Sequence, residues 1–130
     1  MIRPLRLGLM AMVLGAAAPA AFAHHATTMY DKEVERPLEG VVKDFQWVNP
    51  HIRIHLLVNE SGKQVTYDVE AGSPSRMTPN GWNSTTLQRG DRITLTVNPL
   101  KTGEPTGLFV RVVLPNGSVL SRRNPQSYAR

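Results

Sequence analysis

The stretch His51-Ile52-Arg53-Ile54-His55-Leu56-Leu57-Val58-Asn59-Glu60-Ser61-Gly62-Lys63-Gln64-Val65-Thr66-Tyr67-Asp68-Val69-Glu70 decides the fold of this chain. Its first half sets Ile52, Ile54, Leu56 and Val58 on one side and His51, Arg53 and His55 on the other, the two-residue period of a half-buried strand. After the polar Asn59-Glu60-Ser61-Gly62, Val65, Tyr67 and Val69 alternate with Gln64, Thr66, Asp68 and Glu70 in the same way. Two alternating runs joined by a short polar loop predict an antiparallel hairpin. A four-residue loop over Asn59–Gly62 sets Val58 opposite Lys63, so Ile52 faces Val69, Ile54 faces Tyr67 and Leu56 faces Val65. The same register sets Arg53 against Asp68 and His51 against Glu70, with Cβ atoms about 5 Å apart, so apolar and charge pairing agree.

Outward from the hairpin, Leu38–Val48 reads as a preceding strand with Val41, Phe45 and Trp47 on one face and a bulge at Gly40, ended by Asn49-Pro50. Downstream, Ser73 and Pro74 suit a helix start, and Pro79 and Asn80-Gly81 stop it quickly. The run Arg92–Val97 alternates as a fourth strand, Leu108–Leu114 forms a fifth, and Pro115-Asn116-Gly117-Ser118 turns the chain into a short sixth ending near Leu120. The expected fold is therefore all-β: a small OB-like barrel of five to six strands with a short helix or turn between strands 3 and 4. A two-sheet sandwich uses the same short strands and is the alternative.

The amino-terminal end carries a different signal. Arg3 and Arg6, the apolar run Leu7–Ala18 and the small-x-small pattern Ala21-Phe22-Ala23 match a secretory signal peptide over residues 1–23. The apolar run is shorter than the roughly 20 residues that span a bilayer, so no membrane anchor is expected. A second small-x-small pattern, Ala18-Pro19-Ala20, would leave Ala21 first instead. The reading is a periplasmic or secreted bacterial protein with one domain over residues 24–120 and a basic tail over residues 121–130. The chain has no cysteine, which excludes disulfides, thiolate metal sites and a cysteine nucleophile. Without Arg3 and Arg6, 13 basic residues stand against 10 acidic ones, scattered rather than striped, so nucleic acid is not an expected partner.

Cleavage after Ala23 makes His24 the first residue, offering an α-amine and ring Nδ1 to one metal ion, with His25 next in line. Amine and imidazole nitrogens suit copper(II), at the top of the divalent affinity order. The candidate metal ligands are His24, His25 and His51, with Glu70 orienting the His51 ring. His51 and His55 are separated by about 13 Å of strand and cannot share an ion. Met29 is a soft donor near the terminal histidines but stands alone. A plainer reading makes His24 and His25 polar filler and His51 beside Glu70 an ordinary strand-end pair. Trp47, Trp82 and Arg53 are candidates for a ligand face, Trp82 being equally suited to the core. No nucleophile elbow or carboxylate dyad is present, so binding rather than catalysis is expected. The non-metal alternative is an OB-type module holding a small ligand or a partner protein.

The ordered set His24-His25, Tyr30-Asp31, Leu38-Glu39-Gly40, Phe45-Gln46-Trp47-Val48-Asn49-Pro50-His51, Glu70, Gly81-Trp82, Leu87 and Arg89-Gly90-Asp91 resembles an exported bacterial family, domain of unknown function 6152. The resemblance covers nearly all of the chain after Ala23. It departs at Tyr67, where members often carry tryptophan. It implies an exported single-domain protein and brings no activity, cofactor or catalytic residue.

Overall fold

A computed structural model describes residues 26–123. The expectations for residues 1–25 and 124–130, including the signal peptide, His24, His25 and most of the basic tail, lie outside them. The strands are β1 (Arg36–Gln46), β2 (Arg53–Glu60), β3 (Lys63–Glu70), β4 (Arg92–Pro99), β5 (Thr106–Val113) and β6 (Val119–Ser121), with a helical turn, α1 (Pro74–Met77), and a 3-10 turn, Thr78–Asn80, between β3 and β4. Their order is β3-β2-β1-β4-β5-β6, all neighbours antiparallel. A parallel pairing of β3 with β5 over Asp68–Thr106, Val69–Gly107 and Glu70–Leu108 closes the first five strands into a barrel. Closure leaves no room for the sandwich alternative, and the expected OB-like barrel with a short helical link stands.

The interior is what the alternation predicts. Ile52, Ile54, Leu56, Val69, Leu95, Val97, Phe109 and Val112 are essentially inaccessible to solvent. Met77, Trp82 and Leu87, from the link between β3 and β4, add buried side chains to the same cluster. Trp82 meets Phe109 edge to face at 5.1 Å and Phe45 at 6.1 Å. At the hairpin end, Tyr67 donates to Glu60 Oε1 (2.5 Å), which also accepts from Arg36 Nη2 at 3.0 Å.

The hairpin register differs from the expected one by two residues. Arg53 pairs with Glu70, Ile54 with Val69 and Glu60 with Lys63, so the turn is Ser61-Gly62 alone. Both turn residues have positive φ (53° and 83°), the backbone of a two-residue hairpin turn whose twist matches the strands. Asn59 Oδ1 accepts the Gly62 N–H at 2.8 Å and locks it. Because the difference is an even number, every side chain keeps its expected face.

In β1 the expectation also moves. The core positions are Leu38 and Val42, not Val41, and the bulge lies at Lys43, between Val42 and Asp44, rather than at Gly40. Past the bulge the phase changes, which lets Phe45 and Trp47 pack against the core as expected. Gly40 instead permits a close approach between strands, since a Cβ there would stand 2.4 Å from the Leu57 carbonyl oxygen and 2.8 Å from Leu56 Cγ. Ser73 has the extended backbone of a helix cap, but its side chain does not cap α1, and Ser73 Oγ lies 3.1 Å from Ser75 Oγ instead.

The segment before β1 is fastened to the far end of β4. Asp31 N–H donates to Pro99 O (2.8 Å), Lys101 N–H to Met29 O (3.0 Å) and Asn98 Nδ2 to Val34 O (2.8 Å). Tyr30 forms a bridge with Leu100 and is 8% exposed. The chain therefore begins its described course beside the β4–β5 loop, at the barrel end where β3 finishes.

Replacing Gly40 with Ala forces backbone apart from backbone, and a loss of about 1–3 kcal/mol is expected in urea unfolding. A stability unchanged within about 0.3 kcal/mol, on the order of measurement error, would contradict the close approach of β1 and β2.

Candidate functional site

The outer face of β3, β2 and β1 carries a continuous row of polar contacts. His51 Nδ1 lies 3.8 Å from Glu70 Oε1, an electrostatic contact rather than a hydrogen bond. Glu70 Oε2 accepts from Arg53 Nη1 at 3.3 Å. Arg53 Nε donates to Asp68 Oδ1 at 3.0 Å, and its Nη2 donates to Asp68 Oδ2. Next, His55 Nε2 lies 3.4 Å from Asp68 Oδ1 and His55 Nδ1 3.5 Å from Asp44 Oδ2, which accepts from Gln46 Nε2 at 2.8 Å.

These contacts explain how the site survives the register difference. Glu70 is directly opposite Arg53, Asp68 is opposite His55, and the two expected pairs are diagonal neighbours instead. A long guanidinium spans the diagonal, so Arg53 holds both carboxylates. His55, expected opposite Thr66 and exposed, is half-buried between Asp44 and Asp68, with both ring nitrogens turned to carboxylates. Sequence reasoning misses this because the four-residue loop places Thr66 where Asp68 stands.

Ionisation follows the same geometry. The amide of Gln46, and then the nearby His55 ring, hold the Asp44 carboxyl below its ordinary value against a smaller opposing effect of desolvation. Hydrogen bonding to Asp68 keeps the Arg53 guanidinium firmly protonated. Burial, then the negative charge of Glu70, raises the Tyr30 hydroxyl, with Arg53 opposing. Burial also raises Tyr67, with its hydrogen bond to Glu60 adding to the shift.

At the rim beside this row lies a cleft of about 540 Å³, walled by Thr27, Lys32, His51, Glu70, Arg76 and Leu108. The amino-terminal segment, the stretch before β2, the end of β3, α1, the start of β5 and the segment after β6 meet there. The volume is in the range of small-ligand sites. Thus the structure brings together His51 and Glu70, and lays the segment that follows His24 and His25 along the same wall. It does not assemble the three ligand-face candidates. Trp82 is 1% exposed and belongs to the core, where its indole N–H has no hydrogen-bond partner among the described residues. Trp47 is half-buried against Phe45 at 6.1 Å, away from the cleft. Arg53 is held by Asp68 and Glu70. Lys32 and Arg76, which line the cleft, are not singled out by sequence, since neither stands in a motif. Among the described residues, no three His, Asp or Glu side chains are grouped to hold a metal by themselves.

Residues 12–110 match the family described as "Family of unknown function (DUF6152)". No curated protein and no solved structure matches the chain.

Two outcomes test this geometry. Arg53→Lys keeps the charge but loses the fork, and urea unfolding at pH 7 should show a loss on the order of 1 kcal/mol; an unchanged midpoint would contradict the double engagement. For the tyrosines, a raised folded-state pKa means that the neutral hydroxyl contributes stability below about pH 10, lost as pH rises through the folded value. Absorbance titration should therefore show Tyr30 and Tyr67 ionising late, and Tyr30→Phe should remove one late-ionising group.

Proposed function

We propose that this chain, which belongs to the DUF6152 family, is an exported small binding protein that takes copper(II) with the histidine at its processed amino terminus and with His51. The observation that carries the reading is the shared cleft: Thr27 and His51 line one cavity. His24 precedes Thr27 by three residues, a reach of at most about 10 Å along an extended chain. On this reading a cut after Ala23 frees the α-amine and ring of His24 to join the His51 imidazole on one ion, with His25 as a further nitrogen donor.

The local chemistry supports His51 as the fixed ligand. Glu70 Oε1 lies 3.8 Å from its Nδ1, and a closing shift of under about 1 Å on metal binding would make the carboxylate–histidine hydrogen bond that orients a ligating ring and leaves Nε2 for the metal. Glu70 is itself held by Arg53 and is only 16% exposed, so the carboxylate is anchored on the barrel rather than swinging in solvent. His55 has no such free nitrogen. A binding role without catalysis, in the periplasm or outside the cell, completes the proposal.

The test is a copper(II) titration of the mature protein, with the first residue established by intact mass. One equivalent should bind, and His24→Ala or His51→Ala should each weaken binding by at least tenfold. Because amine and imidazole nitrogens bind a metal only when unprotonated, affinity should fall steadily from about pH 8 to about pH 5. Binding unchanged by both substitutions, or a mature chain beginning at Ala21, would overturn the reading.

A further inference from the structure

A copper ion would use His51 and leave the other charged residues that line the cleft, apart from Glu70, without a role. They are basic. Lys32 comes from the amino-terminal segment, Arg76 from α1, and Arg122 and Arg123 from the segment that follows β6. Glu70 is the one carboxylate among the described lining residues, and its charge is already engaged by Arg53 at 3.3 Å. Against that single carboxylate the lining sets the four cationic side chains Lys32, Arg76, Arg122 and Arg123.

Lys32 and Arg76 are exposed, and neither makes an ion pair with any described residue, unlike Arg36, Arg53 and Arg111, which each hold a carboxylate. Two cations from segments more than forty residues apart in sequence converge on one concave surface, so the fold itself concentrates positive potential there. The lining is not wholly polar. Leu108 is half-buried and shares the lining with Ala71, Gly72, Met77 and Phe109, so it is the larger apolar side chain there that keeps accessible surface.

We infer that this cleft binds a small organic anion, its carboxylate or phosphate group met by Lys32 and Arg76 and its apolar body laid against Leu108. The guanidinium of Arg76 offers a planar pair of donors to two oxygens, and the Lys32 ammonium offers a point charge from the other side. The inference stands apart from the copper reading, because it needs neither His24 nor a metal.

The experiment uses the full mature chain in the presence of a chelator, followed by amide NMR. The probes are benzoate, phenyl phosphate and neutral benzyl alcohol, with inorganic phosphate to separate the anionic group from the apolar body. Benzoate or phenyl phosphate should shift the amides of Thr27, Lys32, Gly72 and Arg76, and the tighter of the two identifies the preferred oxyanion. Lys32→Gln with Arg76→Gln should weaken that binding at least tenfold while leaving the spectrum of the barrel unchanged, as expected for two exposed side chains. Raising salt from about 50 to about 500 mM should weaken it as well. His24→Ala should bind the anion as the parent does, whether or not copper binding fails. Benzyl alcohol binding as tightly as benzoate, anion binding undiminished in the double variant, or no binding of either aromatic anion would overturn the inference.

Discussion

Three residue pairs hold this architecture closed. The parallel contact of Asp68, Val69 and Glu70 with Thr106, Gly107 and Leu108 turns a meander into a barrel, and both the core and the cleft depend on it. The middle residue on the β5 side is also packed tightly on β4: a Cβ at Gly107 would stand 2.7 Å from Val97 Cβ, so this position of the seam favours glycine. Closure buries Val69 and Phe109 from the two sides of the seam and leaves Glu70 and Leu108 together at the rim. The amino-terminal segment is then tied across the end of β4, with Tyr30 bridged to Leu100.

Much of this is legible in the sequence because strand alternation is a strong physical signal when one face is buried and one is wet. Ile52, Ile54, Leu56, Tyr67 and Val69 go to the interior as the alternation demands. The register is not legible from pairing logic alone. Acidic residues at both 68 and 70 give Arg53 a partner in either of two registers, and the apolar pairs are equally degenerate under a two-residue shift. What decides it is the turn: Ser61-Gly62 adopts positive φ at both positions, letting Glu60 and Lys63 remain in the strands. The bulge in β1 is hard to place for a related reason. Glycine at 40 reads as a bulge signal, whereas its lack of a side chain serves contact with Leu57, and Lys43 carries the extra residue.

Of the candidate site, the His51–Glu70 neighbourhood can be read from the hairpin, because a side-chain contact survives a diagonal displacement. The cleft cannot. Lys32, Arg76, Arg122 and Arg123 are distant in sequence and share no spacing rule; only closure of the barrel and docking of the chain ends collect them. The two proposed ligands are physically compatible. A copper ion bound by neutral nitrogens adds positive charge to a lining that is already basic, and an organic anion in the same cleft offsets it.

The claim at the centre of this account is that the fold delivers the processed amino terminus to His51. Paramagnetic broadening by substoichiometric copper(II) in the isotope-labelled mature protein reports the position of the ion directly. The account predicts that amide signals of Thr27, His51, Glu70 and Gly72 vanish first while those of Glu60–Lys63, at the opposite end of the barrel, persist. Broadening centred on His55, or confined to the residues before Thr27 with His51 untouched, would contradict it.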